Sequence, residues 1–257
     1  MQARINVHVP FKRIFDHLDL IREKALDLEI YVSADDLDAG DHARFEHLAA
    51  SLDYSPRVSI HAPFMDLSPG AIDPAIREVT VRRYRQAIES CTVLRPQIMV
   101  CHSGYDRWRF NGHRDIWRDG WRRTYDALSG LAEHAGIRIA IENIFDETPD
   151  PLASLMEKLP REQVGICFDT GHFNLFSSTS LSEWIGLLGH RIMATHLHDN
   201  FKQKDDHLPV GTATFDFPGY FGLLKAGEHL PLFTIETHDR TRIEESLANT
   251  RRIWEAA

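Results

Sequence analysis

The chain has 257 residues, three cysteines and a net charge of 29 − 38 = −9 with its 15 histidines counted as neutral. Hydrophobic residues make up 43% and charged residues 26%, which excludes intrinsic disorder and collagen-like repeats, and so few thiols exclude a disulfide scaffold. No apolar run is long enough to cross a membrane, the start Met1-Gln-Ala-Arg-Ile has no signal-type apolar stretch, and the acidic balance argues against a nucleic-acid partner.

In chain order, a short β-branched run at Arg4–Val9 is followed by a helical segment at Phe11–Leu26. A second run at Leu28–Ser33 precedes helix His42–Leu52, and a third at Arg57–Phe64 precedes helix Asp73–Leu94. In that helix Ile76, Val79, Val81, Tyr84, Ala87, Ile88 and Cys91 share one broad face, and Asp73-Pro74 supplies an N-cap followed by proline at the first helical position. Runs at Gln97–Gly104, Arg138–Asn143, Val164–His172, Ile192–Asn200 and Pro231–His238 alternate with helices Asp115–His134, Asp150–Leu159, Ser180–Leu188, Phe217–Lys225 and Arg242–Ala256.

Strands alternating with helices imply right-handed βαβ units and a parallel sheet. Eight units of about 32 residues match a (β/α)8 TIM barrel, for which ~250 residues is typical. No linker or shift in composition divides the chain, so residues 1–257 are expected to form one domain. A doubly wound open sheet is the competing arrangement, but it calls for a Gly-rich turn after the first strand. Here Pro10-Phe11-Lys12-Arg13 stands in that place.

Barrel chemistry sits at the C-terminal ends of the strands. From the third strand onward, every predicted strand carries an imidazole, a carboxylate or both at that end: His61; His102; Glu142; Asp169 and His172; His196 and His198; Glu236 and His238. Asp205 and His207 follow the seventh strand. A lone strand-end histidine is ordinarily a structural residue. Six neighbouring ends with such residues are hard to explain without a divalent metal, and carboxylate with imidazole suits Zn, Mn, Fe or Mg. A buried glutamate is costly unless paired, which singles out Glu142 and Glu236. Asp169 and His172 are expected to straddle a tight turn at Gly171. Glu29, inside the second strand, suits a barrel-interior hydrogen-bonding role and a substrate contact equally. Cys167 is expected deep in the barrel and Cys101 facing the helices, neither with a feature of a nucleophile. The loop Tyr105–His113 mixes aromatic and basic residues above the pocket.

These motifs resemble the xylose-isomerase-like TIM-barrel superfamily, which contains sugar-phosphate isomerases and epimerases and the endonuclease IV apurinic/apyrimidinic nucleases. The resemblance runs from the third strand to the eighth. The string His196-Leu-His-Asp-Asn, followed by Asp205-Asp-His-Leu-Pro-Val-Gly211, looks most like the sugar isomerase/epimerase branch. That branch implies one divalent metal (Mn, Zn, Fe, Co or Mg) held by Glu142, Asp169, His196 and Glu236, with proton transfer through a metal-stabilised enediolate on a small sugar or sugar phosphate. Glu142 and Glu236 would exchange the proton, with His172 assisting. His61, His102, His198, Lys202 and His207 would meet the substrate.

In endonuclease IV the matching positions hold three zinc ions. They are His61, His102, Glu142, Asp169, His172, His196, Asp205, His207 and Glu236, so one to three ions per chain are compatible with the residue types. Nucleases of this class carry Pro, Cys and Asn where this chain has Ser103, Gly171 and His198. A nuclease-type hydrolase and a metal-dependent lyase or dehydratase on a hydroxy acid are the alternatives to the isomerase. With no signal-type stretch, no long apolar run and few cysteines, a cytoplasmic protein without a membrane partner is expected, and a homo-oligomer is compatible with the sequence.

Overall fold

The computed structural model describes residues 5–40, 42–227 and 229–257, so Arg4 of the first predicted strand lies outside the described residues. Eight parallel strands close into a barrel in sequence order: β1 (Ile5–Pro10), β2 (Asp27–Tyr31), β3 (Val58–His61), β4 (Ile98–His102), β5 (Arg138–Glu142), β6 (Val164–Asp169), β7 (Ile192–Leu197) and β8 (Leu232–Ile235). Closure is made by β1 pairing with β8, with Asn6 opposite Thr234. Each strand buries both faces, one against the helices and one inside the barrel, which is why the strands are continuous apolar runs.

Most helices fall where the periodicity puts them. Asp73 caps the helix Pro74–Cys91 by accepting from the Ala75 amide at 2.8 Å. Its apolar face is only partly used for packing. Tyr84, Ala87, Ile88 and Cys91 are buried, whereas Ile76 and Val79 are 40% and 37% exposed. The first helical segment divides into a 3-10 stretch, Phe11–His17, and a short α-helix, Leu18–Glu23.

The sixth strand is shorter than its apolar run suggests. It ends at Asp169, and Thr170–Phe176 is helical, so Gly171 lies in the first helical turn rather than in a tight loop. Asp169 is the N-cap, accepting from the His172 amide at 2.6 Å. This junction sends the strand's last carboxylate and the helix's third side chain toward the same mouth of the barrel.

The barrel interior is divided. Toward β4–β8 it is apolar, with Ile98, Val100, Ala140, Cys167, Ala194 and Leu232 packed together. Toward β1–β3 it is polar. Asn6 donates to the Ser59 hydroxyl at 3.1 Å, and the Ser59 and Thr234 hydroxyls donate to Glu29 Oε2 at 2.9 and 3.3 Å. Outside the barrel, Trp117 and Trp121 of helix Arg114–Ala135 both donate their indole N–H to the Ser103 carbonyl, at 3.0 and 2.7 Å. That pair ties the end of β4 to its helix. Among the described residues, no helix is long and apolar enough to cross a membrane.

Candidate metal centre

Strand register gathers the chemistry into one layer. His102 stands opposite Glu142, and Asp169 opposite His196. His61 closes β3, and Glu236 follows the last residue of β8. Glu142 is the hub. Its Oε2 is 3.1 Å from His61 Nε2 and 3.7 Å from His102 Nε2, and its Oε1 is 3.2 Å from His172 Nδ1 and 3.5 Å from His196 Nδ1. His196 Nδ1 also lies 3.1 Å from Glu236 Oε2 and 3.6 Å from Asp169 Oδ2. Glu142, Asp169 and His196 thus offer donor atoms within 4.8 Å of one another.

Four further groups among the described residues meet the same limit: His61, His102 and Glu142 on one flank; His198, Asp205 and His207 on the other; and, overlapping them, Asp169, His198 and Glu236, and His207, Glu236 and His238. His207 Nε2 accompanies Asp205 Oδ2 at 2.8 Å, and His172 Nε2 reaches the same oxygen at 3.4 Å. All nine residues matching the trinuclear pattern are therefore brought together. Lys202 is not. It is exposed, with φ of +63°, and lies outside the lining of the adjacent cavity.

His198 is fully buried. Its Nε2 is 3.0 Å from Asp169 Oδ2, and its ring lies flat on His207 at a centroid distance of 4.0 Å. His207 in turn stacks on His238 at 3.8 Å. Two features make the stack. His207 adopts a left-handed φ of +48°, a conformation in which histidine is less disfavoured than bulkier or branched residues. Gly171 has no side chain, and a Cβ there would overlap the His198 ring. Sequence reading places His198 beside the substrate; the structure places it under His207.

Glu29, which the sequence leaves between two roles, is enclosed, and its Oε1 is 2.7 Å from His196 Nε2. It therefore lies behind the imidazole rather than in front of it, where a carboxylate steadies a histidine whose other nitrogen faces a metal. His8, stacked on Tyr31 and edge-on to His61, completes the wall. Cys101 packs with the helices and Cys167 inside the barrel, as their alternation predicts. Burial pushes both thiols well above their usual range.

Electrostatically the layer is crowded. Burial would raise the Glu142 and Glu236 carboxyls. The imidazoles around them, His196 first in each case, instead hold both well below the usual carboxylate range. Burial opposes ionisation of Asp169 too, yet His172 and His198 hold it at about 2. His207 rises to about 9 because Glu236 and Asp205 outweigh its burial. His172 and His196 are likewise driven up against burial, His172 chiefly by Asp169. His102, where burial prevails over Glu142, falls to about 3.

The residues present fit a divalent ion. His172 Nδ1, His196 Nδ1, His198 Nδ1 and Glu236 Oε2 are buried in this layer without a hydrogen-bond partner. Such orphaned atoms are expensive unless something satisfies them. Ionised carboxylates and neutral imidazole nitrogens are the donor set that borderline divalent metals take.

Beside the layer opens a cavity of 630 Å³. His102, His172 and Asp205 form its polar end, and Phe64, Ile76, Phe145 and Phe176 line its walls. Arg109 belongs to the helix Arg107–Phe110, which forms within the aromatic and basic loop after β4 and lines the same cavity.

The chain belongs to the xylose isomerase-like TIM-barrel family, whose pattern matches residues 10–255. An uncharacterised protein of Methanocaldococcus jannaschii is 30% identical over 171 residues, 64% of this chain, and the aligned part spans 58% of that relative's length. A solved D-tagatose 3-epimerase-like protein superposes with a TM-score of 0.85 at 25% identity, covering 99% of this chain and 98% of the other. A probable endonuclease 4 of Methanoculleus marisnigri is 25% identical over 234 residues, 80% of each chain.

Proposed function

We propose that the protein is a divalent-metal-dependent sugar isomerase or epimerase. The observation that carries this reading is the meeting of Glu142, Asp169 and Glu236 around His196 Nδ1, beside a cavity large enough for a sugar. The similarity to a D-tagatose 3-epimerase-like protein supports the substrate class. Glu142, Asp169, His196 and Glu236 would hold the ion, which would supply Lewis-acid polarisation of a carbonyl and its neighbouring hydroxyl.

The chain's own residues would then move the proton. Glu142 and Glu236 reach the centre from β5 and from just beyond β8, so they can address opposite faces of one carbon, one taking the proton and the other returning it. His172, at 3.2 Å from Glu142 and 12% exposed at the cavity's edge, is placed to orient a substrate hydroxyl. The aromatic walls offer flat apolar faces to a sugar ring.

The test is turnover of a panel of ketohexoses and their phosphates, followed by deuterium uptake from solvent at the epimerised carbon. Chelation should stop both, and added Mn, Co, Zn or Mg should restore them. Glu142→Gln should lower turnover by about 10²–10⁴-fold while the far-ultraviolet dichroism stays the same. Near-normal activity of that variant would overturn the assignment.

A second reading, a phosphodiesterase of the endonuclease IV kind, is favoured by the two flanking donor groups at His61–His102–Glu142 and His198–Asp205–His207. Three tightly held zinc ions per chain together with cleavage of an abasic duplex would establish it. One exchangeable ion would favour the isomerase.

A further inference from the structure

The opposite mouth of the barrel holds a second cavity, of 440 Å³. It lies at the starts of the strands, where Gln97 and Ile98 open β4, Arg138 opens β5, and Pro231 and Leu232 open β8. Four arginines line it: Arg57, Arg138, Arg161 and Arg191. Glu162 is the one carboxylate among its described lining residues.

Arg57 is paired with Asp27 at 3.3 Å. The other three make no ion pair among the described residues. Arg191 is 9% exposed and donates to the carbonyls of Met156, Leu159 and Val164 at 2.9, 3.2 and 2.9 Å. Those partners are neutral, so its charge is not balanced, and its buried Nε has no partner at all. Burial and the neighbouring Arg161 both press the Arg191 guanidinium toward the uncharged form.

Like charges drawn together with a single lining carboxylate, on a protein of net charge −9, are unfavourable unless an anion joins them. Guanidinium forks match tetrahedral oxyanions, which accept two parallel N–H bonds from one arginine. The volume exceeds that of a bare ion and suits a small molecule.

We propose that this mouth binds a small phosphorylated molecule, its phosphate held by Arg138 and Arg161 and attracted further by the fixed charge of Arg191. Arg138 and Arg161 are exposed before the ligand arrives, so they can change partners, whereas Arg191 is locked by its three carbonyls. The site is independent of the chemistry at the other mouth.

Calorimetric titration of the full chain with sodium phosphate and with sodium sulfate, at constant ionic strength set with chloride, tests this. Sulfate checks that the heat does not come from chelation of a metal. The expected result is one saturable site for either dianion, weakened about tenfold or more in Arg138→Gln/Arg161→Gln. Both positions are on the surface, so the variant should keep its dichroism and melting temperature. No saturable heat with either dianion, or the same affinity in the double variant, would overturn the proposal. A competing phosphate-bearing sugar or nucleotide that displaces sulfate would identify which small molecule the mouth prefers.

Discussion

The two mouths of the barrel are built from the same eight strands yet have opposite chemistry. At the C-terminal end, Glu142, Asp169, Asp205 and Glu236 face six imidazoles, and each charge is countered by a neighbour. At the N-terminal end, Arg138, Arg161 and Arg191 gather with Glu162 as the sole described acidic lining residue. The first end is densely paired but leaves ring nitrogens orphaned; the second leaves whole charges unbalanced. Between them the barrel interior holds the apolar cluster of Ile98, Val100, Ala140, Cys167, Ala194 and Leu232 on one side and the polar group of Asn6, Ser59, Glu29 and Thr234 on the other. A dense ion-paired cluster calls for a cation that satisfies donors, and an open cationic cleft calls for a mobile anion. The difference teaches that one strand can serve two sites, as β5 does with Glu142 at its end and Arg138 at its start.

The contrast can be broken hardest at the carboxylate mouth. Asp169→Ala removes a buried N-cap and a carboxylate facing three imidazoles, so turnover should fall by about 10²-fold or more, with metal content falling beside it in elemental analysis. A variant that keeps its metal and its rate would mean that the ligands lie elsewhere.

Asp146 offers a subtler break. It is buried at the edge of the same mouth, accepting from the Ile144 amide at 3.1 Å and the Ser103 hydroxyl at 3.0 Å. Burial raises its carboxyl to about 7 from an ordinary 3.8 despite those bonds. A raised carboxyl pKa means that the folded state holds the proton to higher pH than the unfolded chain. Its ionisation therefore costs stability progressively between pH 3.8 and 7, and fully above that, by roughly 2–4 kcal/mol. Asp146→Asn should gain on the native protein as pH rises through this window and level off beyond it, as melting curves across pH will show. A pH-independent difference would put Asp146 in contact with water.

Gly171→Ala should cost about 1–3 kcal/mol, read as a lowered denaturation midpoint, since its Cβ overlaps the His198 ring. His198→Asn in the same chain should recover part of that loss, which a double-mutant cycle will show as coupling between the two positions. Simple additivity would indicate that the ring moves aside freely.

The smallest stability change is expected at the arginine mouth. Arg138→Gln/Arg161→Gln should alter stability by no more than about 0.5 kcal/mol, because neither side chain holds an ion pair among the described residues. A large loss would show that these arginines are structural after all.

Much of this was readable in the chain. Eight apolar runs alternating with helical stretches specify the barrel, because a strand buried on both faces must be apolar throughout. The nine ligand-type residues stood out because carboxylates and imidazoles seldom end six neighbouring strands without a shared purpose. Boundaries were less legible. Asp169-Thr-Gly-His continues the apolar run of β6 without a break, and only the N-cap bond to the His172 amide reveals the helix. The short helix Ala34–Asp38 did carry a signal, the capping-box spacing of Ser33 and Asp36, but it abuts β2 and merges with it in the sequence. The arginine mouth was invisible because its members are scattered from residue 57 to residue 191, and only closure of the barrel brings them together.

The space beneath Gly171 has a consequence for the history of such sites. The nuclease-type motif that this chain resembles has a side chain at position 171 and a smaller one at 198. This chain has the reverse, and a Cβ at position 171 would overlap its imidazole at position 198. Passage from one to the other is therefore ordered. The imidazole has to shrink before a Cβ can be admitted, and the Cβ has to be lost before an imidazole can enter. A single change in the wrong order leaves either an overlap or a void between Asp169 and the ring below it. The two positions are therefore expected to change as a unit, and chains intermediate between the branches should be found with the small residue at both.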